Sequence, residues 1–199
     1  MSAPSVMALL LLASCVLSLK RLNVPDLKVF EVPMDGNCLF SAVALSAALA
    51  DNMPAQTRAR AVRTAAARLR ASAMDVLCPD GQPDDGLEVG GIPAPLLIEP
   101  LVGETSAAYC SRLRNDGEWG STAEVLALTR VLRRAIHVHT DFGVERYDVD
   151  DVSLAPISIH FDTAASHYRA ALASEDGSTA GLPEGDGDPL GKSTAKDEL

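Results

Sequence analysis

Asp35-Gly36-Asn37 is a run of turn formers, and directly behind it Cys38-Leu39-Phe40 opens an Ala-rich apolar stretch, Ser41 to Ala50, without a single charge. Such a segment reads as a buried helix, and the rest of the chain has to be organised around it. Cys38 then falls at or near the helix N-terminus. Unpaired backbone N–H groups and the positive end of the helix dipole favour a thiolate there, the nucleophile a thiol enzyme needs. Gly36 allows the backbone to approach a substrate carbonyl, and the amides around Asn37 and Cys38 are candidate donors to a developing oxyanion. The plain alternative is a packed cysteine, since free cysteines are among the most buried residues.

At 199 residues and 47% hydrophobic content, the chain can bury one sizeable core, which argues for a single domain with extensions. Its net charge of −10 argues against nucleic acid as a partner. Half of that charge is local: from Ser174 onward there are seven acidic residues and two lysines. Residues 174–199 are rich in Gly, Pro, Ser and Asp and read as a disordered acidic tail. The tail ends Lys196-Asp197-Glu198-Leu199, the tetrapeptide that returns luminal proteins to the endoplasmic reticulum. At the other end, Val6 to Leu19 is apolar and stopped by Lys20-Arg21, which suits a signal peptide over residues 1–18; it is short for a stable membrane span. A hydrophobic first helix and a cytoplasmic location are the alternative. Removal of a signal peptide takes Cys15 away, leaving a disulfide between Cys78 and Cys110, with Cys38 free, open in an oxidising lumen.

Leu27 to Val32 has the content of a short strand. A long helix is expected from about Ala55 to Val76, with an apolar stripe through Ala59, Val62, Ala66, Leu69, Ala73 and Leu77. Arg58, Arg60, Arg63, Arg68 and Arg70 read as its solvated face. Cys78 to Pro100, with five prolines and four glycines, reads as an irregular excursion. Helices are expected over Glu104 to Leu113 and Thr122 to Arg134, strands over Ala135 to Thr140, Val144 to Tyr147 and Pro156 to Phe161. Strands and helices interleave without a strict repeat, which predicts an α/β (α+β) sheet flanked by helices. Of the four histidines, His137 and His139 share a strand face but have no acidic or thiol cluster to complete a metal site, and His160 sits inside a strand. His167 follows a polar loop directly after a strand, where a side chain can be held over a cleft.

Three spaced segments carry a family likeness. Asp35-Gly36-Asn37-Cys38-Leu39-Phe40, the block Asp116-Gly117-Glu118-Trp119-Gly120 with its following helix and strand, and the strand, loop and His167-Tyr168 pair resemble, in that order, the ovarian-tumour (OTU) family of papain-like cysteine proteases. The resemblance runs from about Val29 to Leu172 and implies a mostly antiparallel central sheet flanked by helices, with a catalytic domain over residues 19–173. It implies Cys38 as nucleophile, His167 as general base and acid, an oxyanion loop including Gly36 and Asn37, and no cofactor or metal. Trp119 and Tyr168 are candidates for the substrate cleft, with core packing the alternative for Trp119. Many members place Asp or Asn two residues after the histidine to orient it; here that residue is Arg169, a cation that cannot accept the imidazole N–H. Asp35, three residues before the cysteine, is the candidate orienting acid, unless it only shapes the loop. The implied activity is acyl transfer from conjugates of ubiquitin or a ubiquitin-like protein by a monomer. A protease of the same fold with another substrate and an inactive ubiquitin-binding module remain as alternatives.

Overall fold

The computed structural model describes residues 27–89, 92–149 and 154–173, with the main chain alone at 55–57, 59, 60 and 89. The apolar N-terminus, the acidic tail and its final tetrapeptide lie outside the described residues. Among the described residues, four α-helices and seven strands follow one another: β1 (Leu27–Phe30), α1 (Cys38–Ala50), α2 (Ala55–Leu77), β2 (Glu88–Val89), β3 (Ile92–Pro93), α3 (Ser106–Leu113), α4 (Thr122–Leu132), β4 (Ile136–Thr140), β5 (Gly143–Tyr147), β6 (Ile157–Asp162) and β7 (His167–Ala173).

The five-stranded sheet has the order β1-β7-β6-β4-β5. Only β4 and β6 pair in parallel; the other three pairings are antiparallel. α1 packs across β7 and β6 and against α2, which in turn meets α4. With Leu39, Phe40, Ala42, Val43 and Leu45 all fully buried, α1 has no solvated face and forms the centre of a single core shared with Met74, Leu77, Leu128, Ile136 and Ile159. That arrangement follows from its sequence: a helix apolar all round has to be enclosed.

Several boundaries differ from expectation for local reasons. α3 begins at Ser106, because Thr105 Oγ1 accepts the Ala108 N–H (3.2 Å) while Glu104 accepts the Leu101 N–H (2.8 Å). α4 ends at Leu132 because Arg133 turns left-handed at φ 49°. Its start carries the capping box of Ser121 and Glu124. The closing segment is a strand that begins at His167, directly after the loop, and it sits between β6 and β1 with Ile159 opposite Ala170 and Phe30 opposite Ala170 on the other side. The Cys78–Pro100 excursion contains the two-residue β2–β3 ladder and a 3-10 turn at Ala94–Leu96. Cys78 and Cys110 are joined by a disulfide that spans it, with Cα atoms 6.0 Å apart, and Cys38 is free. Among the described residues, no helix is long and apolar enough to cross a membrane.

Candidate active site

The loop before α1 is held in one shape by hydrogen bonds. Asp35 Oδ1 accepts the Asn37 N–H at 3.0 Å, an Asx-type turn. Gly36 takes φ +78°, and a Cβ there would lie 1.7 Å from the Gly117 carbonyl oxygen, so only glycine fits. The Asn37 carbonyl accepts the Ser41 N–H (2.9 Å) and starts α1, while its side-chain Oδ1 accepts from Gly117 N (3.3 Å). Asn37 was an expected oxyanion donor, but its N–H is already engaged by Asp35. Of the backbone amides, those of Tyr168, Leu39 and Cys38 itself, and not that of Asn37, act on the Cys38 sulfur.

Arg70, expected on a solvated face, is 3% exposed. Its guanidinium donates to the carbonyls of Gly36 (3.0 Å), Leu113 (3.0 Å) and Glu118 (2.6 Å) and to Asn37 Oδ1 (2.8 Å), and it lies over the Phe40 ring at 4.3 Å. One side chain from α2 thus ties the nucleophile loop to the 113–118 turn. Arg112 anchors the same turn through Glu118 (3.1 Å) and α3's approach through Glu104 (2.8 Å). Helical spacing held no signal for Arg70: it stands four residues after Ala66 and three before Ala73, inside the apolar stripe, but Arg63 stands in the same relation to Ala59 and Ala66 and is exposed.

Cys38 is the first residue of α1 and 2% exposed. Burial pushes its thiol pKa up, and the Asp35 charge adds to the rise; N–H groups of Tyr168, Leu39 and Cys38 itself pull the other way without winning. The resting group is therefore a thiol, and the helix terminus alone does not make the thiolate that the sequence suggested. α1 packs across β7, and the Ala171 N–H donates to Ser46 Oγ (3.0 Å) to hold strand and helix together, which sets the start of β7 near Cys38. Upstream, Asp162 Oδ1 accepts the Ala165 N–H (2.9 Å) and Ser166 turns left-handed at φ 48°, a tight return that delivers His167.

His167 is 1% exposed, and its Nδ1 has no hydrogen-bond partner among the described residues. Its Nε2 lies 3.8 Å from Glu31 Oε2, ion-pair distance once the imidazole is protonated but too long for a hydrogen bond. Among the described residues the carboxylate paired with His167 is thus Glu31 and not Asp35. Arg169 sits between two acids, its Nη1 donating to Asp162 Oδ2 at 2.7 Å and its Nε 2.7 Å from Glu31 Oε1.

Trp119 is 49% exposed beside Gly120, which packs so closely on α1 that an added Cβ would meet Leu39 at 2.8 Å. The tryptophan is therefore a surface residue next to the first turn of α1 and no part of the core. Tyr168, expected at the cleft, supplies main chain only: its ring is buried against Phe161 with centroids 4.7 Å apart, and burial raises its phenol pKa. A groove of about 920 Å³ opens beside the nucleophile loop, with Val29, Phe30 and Val62 as apolar lining and Glu31, Asp35 and Asp116 at its polar edge. His139 Nε2 meets Ser158 Oγ at 3.2 Å, and no cluster among the described residues is arranged to hold a metal.

Comparison with known proteins agrees with this geometry. The OTU-like cysteine protease family matches residues 33–158. The chain is 26% identical over 161 residues to ubiquitin thioesterase otu2 of Schizosaccharomyces pombe, covering 77% of this chain and 48% of that protein, so it spans about half the length of this curated relative. Among solved structures, the OTUD1 OTU domain superposes with a TM-score of 0.50 at 21% identity, over 73% of this chain and 85% of that one. The viral OTU domain protease from Taggert virus gives 0.50 at 18%, over 75% and 81%. The Hazara virus OTU bound to ubiquitin also gives 0.50 at 18%, over 75% and 83%. At these identities the solved structures establish the fold. With the family match covering most of the chain and holding the Asp35–Cys38 loop, Arg70 and the 113–118 turn within it, the chain belongs to the OTU-like cysteine protease family.

Proposed function

We propose that the protein is a thiol hydrolase that removes ubiquitin or a ubiquitin-like modifier from its conjugates. The observation that carries this is the pairing of a buried Cys38 thiol at the start of α1 with a strand whose first residue is a buried His167 with an unoccupied Nδ1. The relative named as a ubiquitin thioesterase and the solved OTU domains in complex with ubiquitin support the substrate class. A neutral imidazole takes the proton of Cys38, and the thiolate attacks the carbonyl carbon joining the modifier's C-terminal glycine to an amine. The Cys38 amide donates to the resulting oxyanion. The amine leaves with the proton that His167 held, and water, deprotonated in turn by His167, resolves the thioester. Asp35 serves this chemistry by shaping the loop, and Trp119 flanks the approach to it.

The test is incubation of the chain with ubiquitin carrying a C-terminal electrophile, beside Cys38→Ala and His167→Ala. A covalent adduct lost in both variants supports the reading; adduct formation that survives Cys38→Ala sinks it.

The disulfide between Cys78 and Cys110 favours a second reading of the substrate, because such bonds persist in oxidising compartments. Together with a cleaved signal over residues 1–18 and the Lys196–Leu199 ending, it supports a monomeric catalytic domain over residues 19–173 held in the endoplasmic reticulum lumen by its 174–199 tail. The substrate there is a luminal conjugate and not cytosolic ubiquitin. Expression in a secretory cell decides: retention that turns to secretion on deletion of Leu199 supports it, and a chain that stays cytosolic with residues 1–18 intact refutes it.

A further inference from the structure

Arg169 occupies the position from which an acid would orient the imidazole, and it cannot accept a hydrogen bond. Its surroundings resolve the conflict. His167 and Arg169 are two residues apart on β7 and share a face of the sheet. β1 runs antiparallel to β7 with Phe30 opposite Ala170, so Glu31, the next residue, arrives beside Arg169. One oxygen of that carboxylate is 2.7 Å from Arg169 Nε and the other is 3.8 Å from His167 Nε2. Arg169 is itself held from the far side by Asp162, whose strand position is opposite His167.

We infer that Glu31 is the positioning carboxylate of His167 and that Arg169, by bridging Asp162 and Glu31, braces it there. This role presupposes the Cys38–His167 pair of the preceding section. The tautomer follows from the geometry: a carboxylate at Nε2 keeps the proton on Nε2 and leaves Nδ1, which has no partner among the described residues, as the nitrogen free to act as base. When Nδ1 takes the Cys38 proton, the imidazolium meets the Glu31 charge, and Arg169 is neutralised by its two acids instead of repelling it. An acid on the preceding strand thereby does what an acid at position 169 would do. Glu31 is exposed on its other side, so a small rotation of the carboxylate is free to bring it to hydrogen-bond distance of Nε2.

The charged groups set around His167 among the described residues are Glu31 from the end of β1, Asp162 from β6 and Arg169 from its own strand, while α1, which begins at Cys38, packs across β7. Only Glu31 and Asp162 are acids, and Asp162 is engaged by Arg169 and the Ala165 N–H. The experiment uses the full chain, the ubiquitin electrophile over a range of concentrations and, independently, iodoacetamide, with rates compared between variants at one pH.

Glu31→Gln and Glu31→Ala should lower the maximal rate roughly tenfold or more while leaving the half-saturating concentration of the ubiquitin electrophile unchanged, because a ring without its anchoring carboxylate is held less often in the reactive orientation. Glu31→Asp should recover part of the rate. Arg169→Met should slow the wild-type chain but add no further loss in the Glu31→Gln background. Thermal melts establish that each variant is folded, which the exposure of Glu31 favours. A maximal rate unchanged in Glu31→Ala, or an Arg169→Met loss of equal size in both backgrounds, overturns the inference while leaving Cys38 and His167 in place. Full reactivity in His167→Ala would instead remove the pair on which it rests.

Discussion

Replacing Arg70 with methionine removes the guanidinium but keeps a stem that still covers Phe40. Four acceptors then lose a charged donor at 2.6 to 3.0 Å: the carbonyls of Gly36, Leu113 and Glu118 and the Asn37 side chain. A hydrogen bond to a charged group contributes about 1.5–3 kcal/mol, and each buried oxygen left bare costs roughly 1–3 kcal/mol. These terms do not add, since the apolar replacement no longer needs its own charge desolvated and water can reach the loop side. A net loss of about 3–5 kcal/mol is expected, the usual cost of breaking a buried charged network. Against a total of roughly 5–15 kcal/mol, the variant should still fold but with a much lower urea midpoint. Reactivity should fall further than stability does, because Gly36 and Asn37 lose their hold on the 113–118 turn. Arg70→Lys should recover only part, as an ammonium has three donors and no planar fork. Urea denaturation read beside the Cys38 labelling rate tests both consequences. A loss below about 1 kcal/mol, or wild-type labelling in a folded Arg70→Met chain, would refute the reasoning.

Gly36→Ala should abolish labelling of Cys38 by the ubiquitin electrophile, since its Cβ would overlap the Gly117 carbonyl and its φ is left-handed; adduct formation at the wild-type rate would contradict this packing. Replacing Cys78 and Cys110 by serine, with 32 residues of separation between them, should cost about 3–4 kcal/mol, seen as a lower urea midpoint equal to that of the reduced wild type. Burial raises the Cys38 pKa above its ordinary 9.0, so the folded chain holds that proton more tightly than the unfolded one. The stability this supplies is present below about pH 9 and is lost as pH rises through the folded value, so urea midpoints should fall more steeply toward pH 10 in the wild type than in Cys38→Ala.

Much of this was legible along the chain because it is local. The Asp35-Gly36-Asn37 turn, the unbroken apolar run of α1 and the alternation of β4 and β6 each declare themselves within ten residues, and the structure keeps them within a residue or two. What was not legible depends on partners distant in sequence. Arg70 looks like one more surface arginine until the Gly36 and Leu113 carbonyls, 34 and 43 residues away, are brought to it. Glu31 carries no mark of its own; its neighbour is set by the pairing of the first strand with the last. Tyr168 misled for the opposite reason, because His-Tyr names a place at the cleft while strand alternation sends the tyrosine ring to the core with Ala170.

The burial of Cys38 bears on how the site has to work. A helix N-terminus is often enough to ionise an exposed thiol, but here the sulfur has given up most of its water, and three N–H groups do not offset that loss. Asp35, whose carboxylate is needed to shape the loop, makes the thiolate less favourable still. Nucleophile and loop geometry are therefore in electrostatic conflict at rest, and the conflict is relieved only when a base takes the proton as the carbonyl is attacked. That places the demand on β7, and through it on the sheet edge where β1 ends. The elements that shape the loop, α2 through Arg70 and the 113–118 turn, are distinct from those that activate the sulfur, β7 and the end of β1. The disulfide joins the C-terminal end of α2 to α3, so it braces the first set and leaves the second untouched. Reduction should then loosen the loop without altering the imidazole, whereas changes at Glu31 should alter the imidazole without loosening the loop.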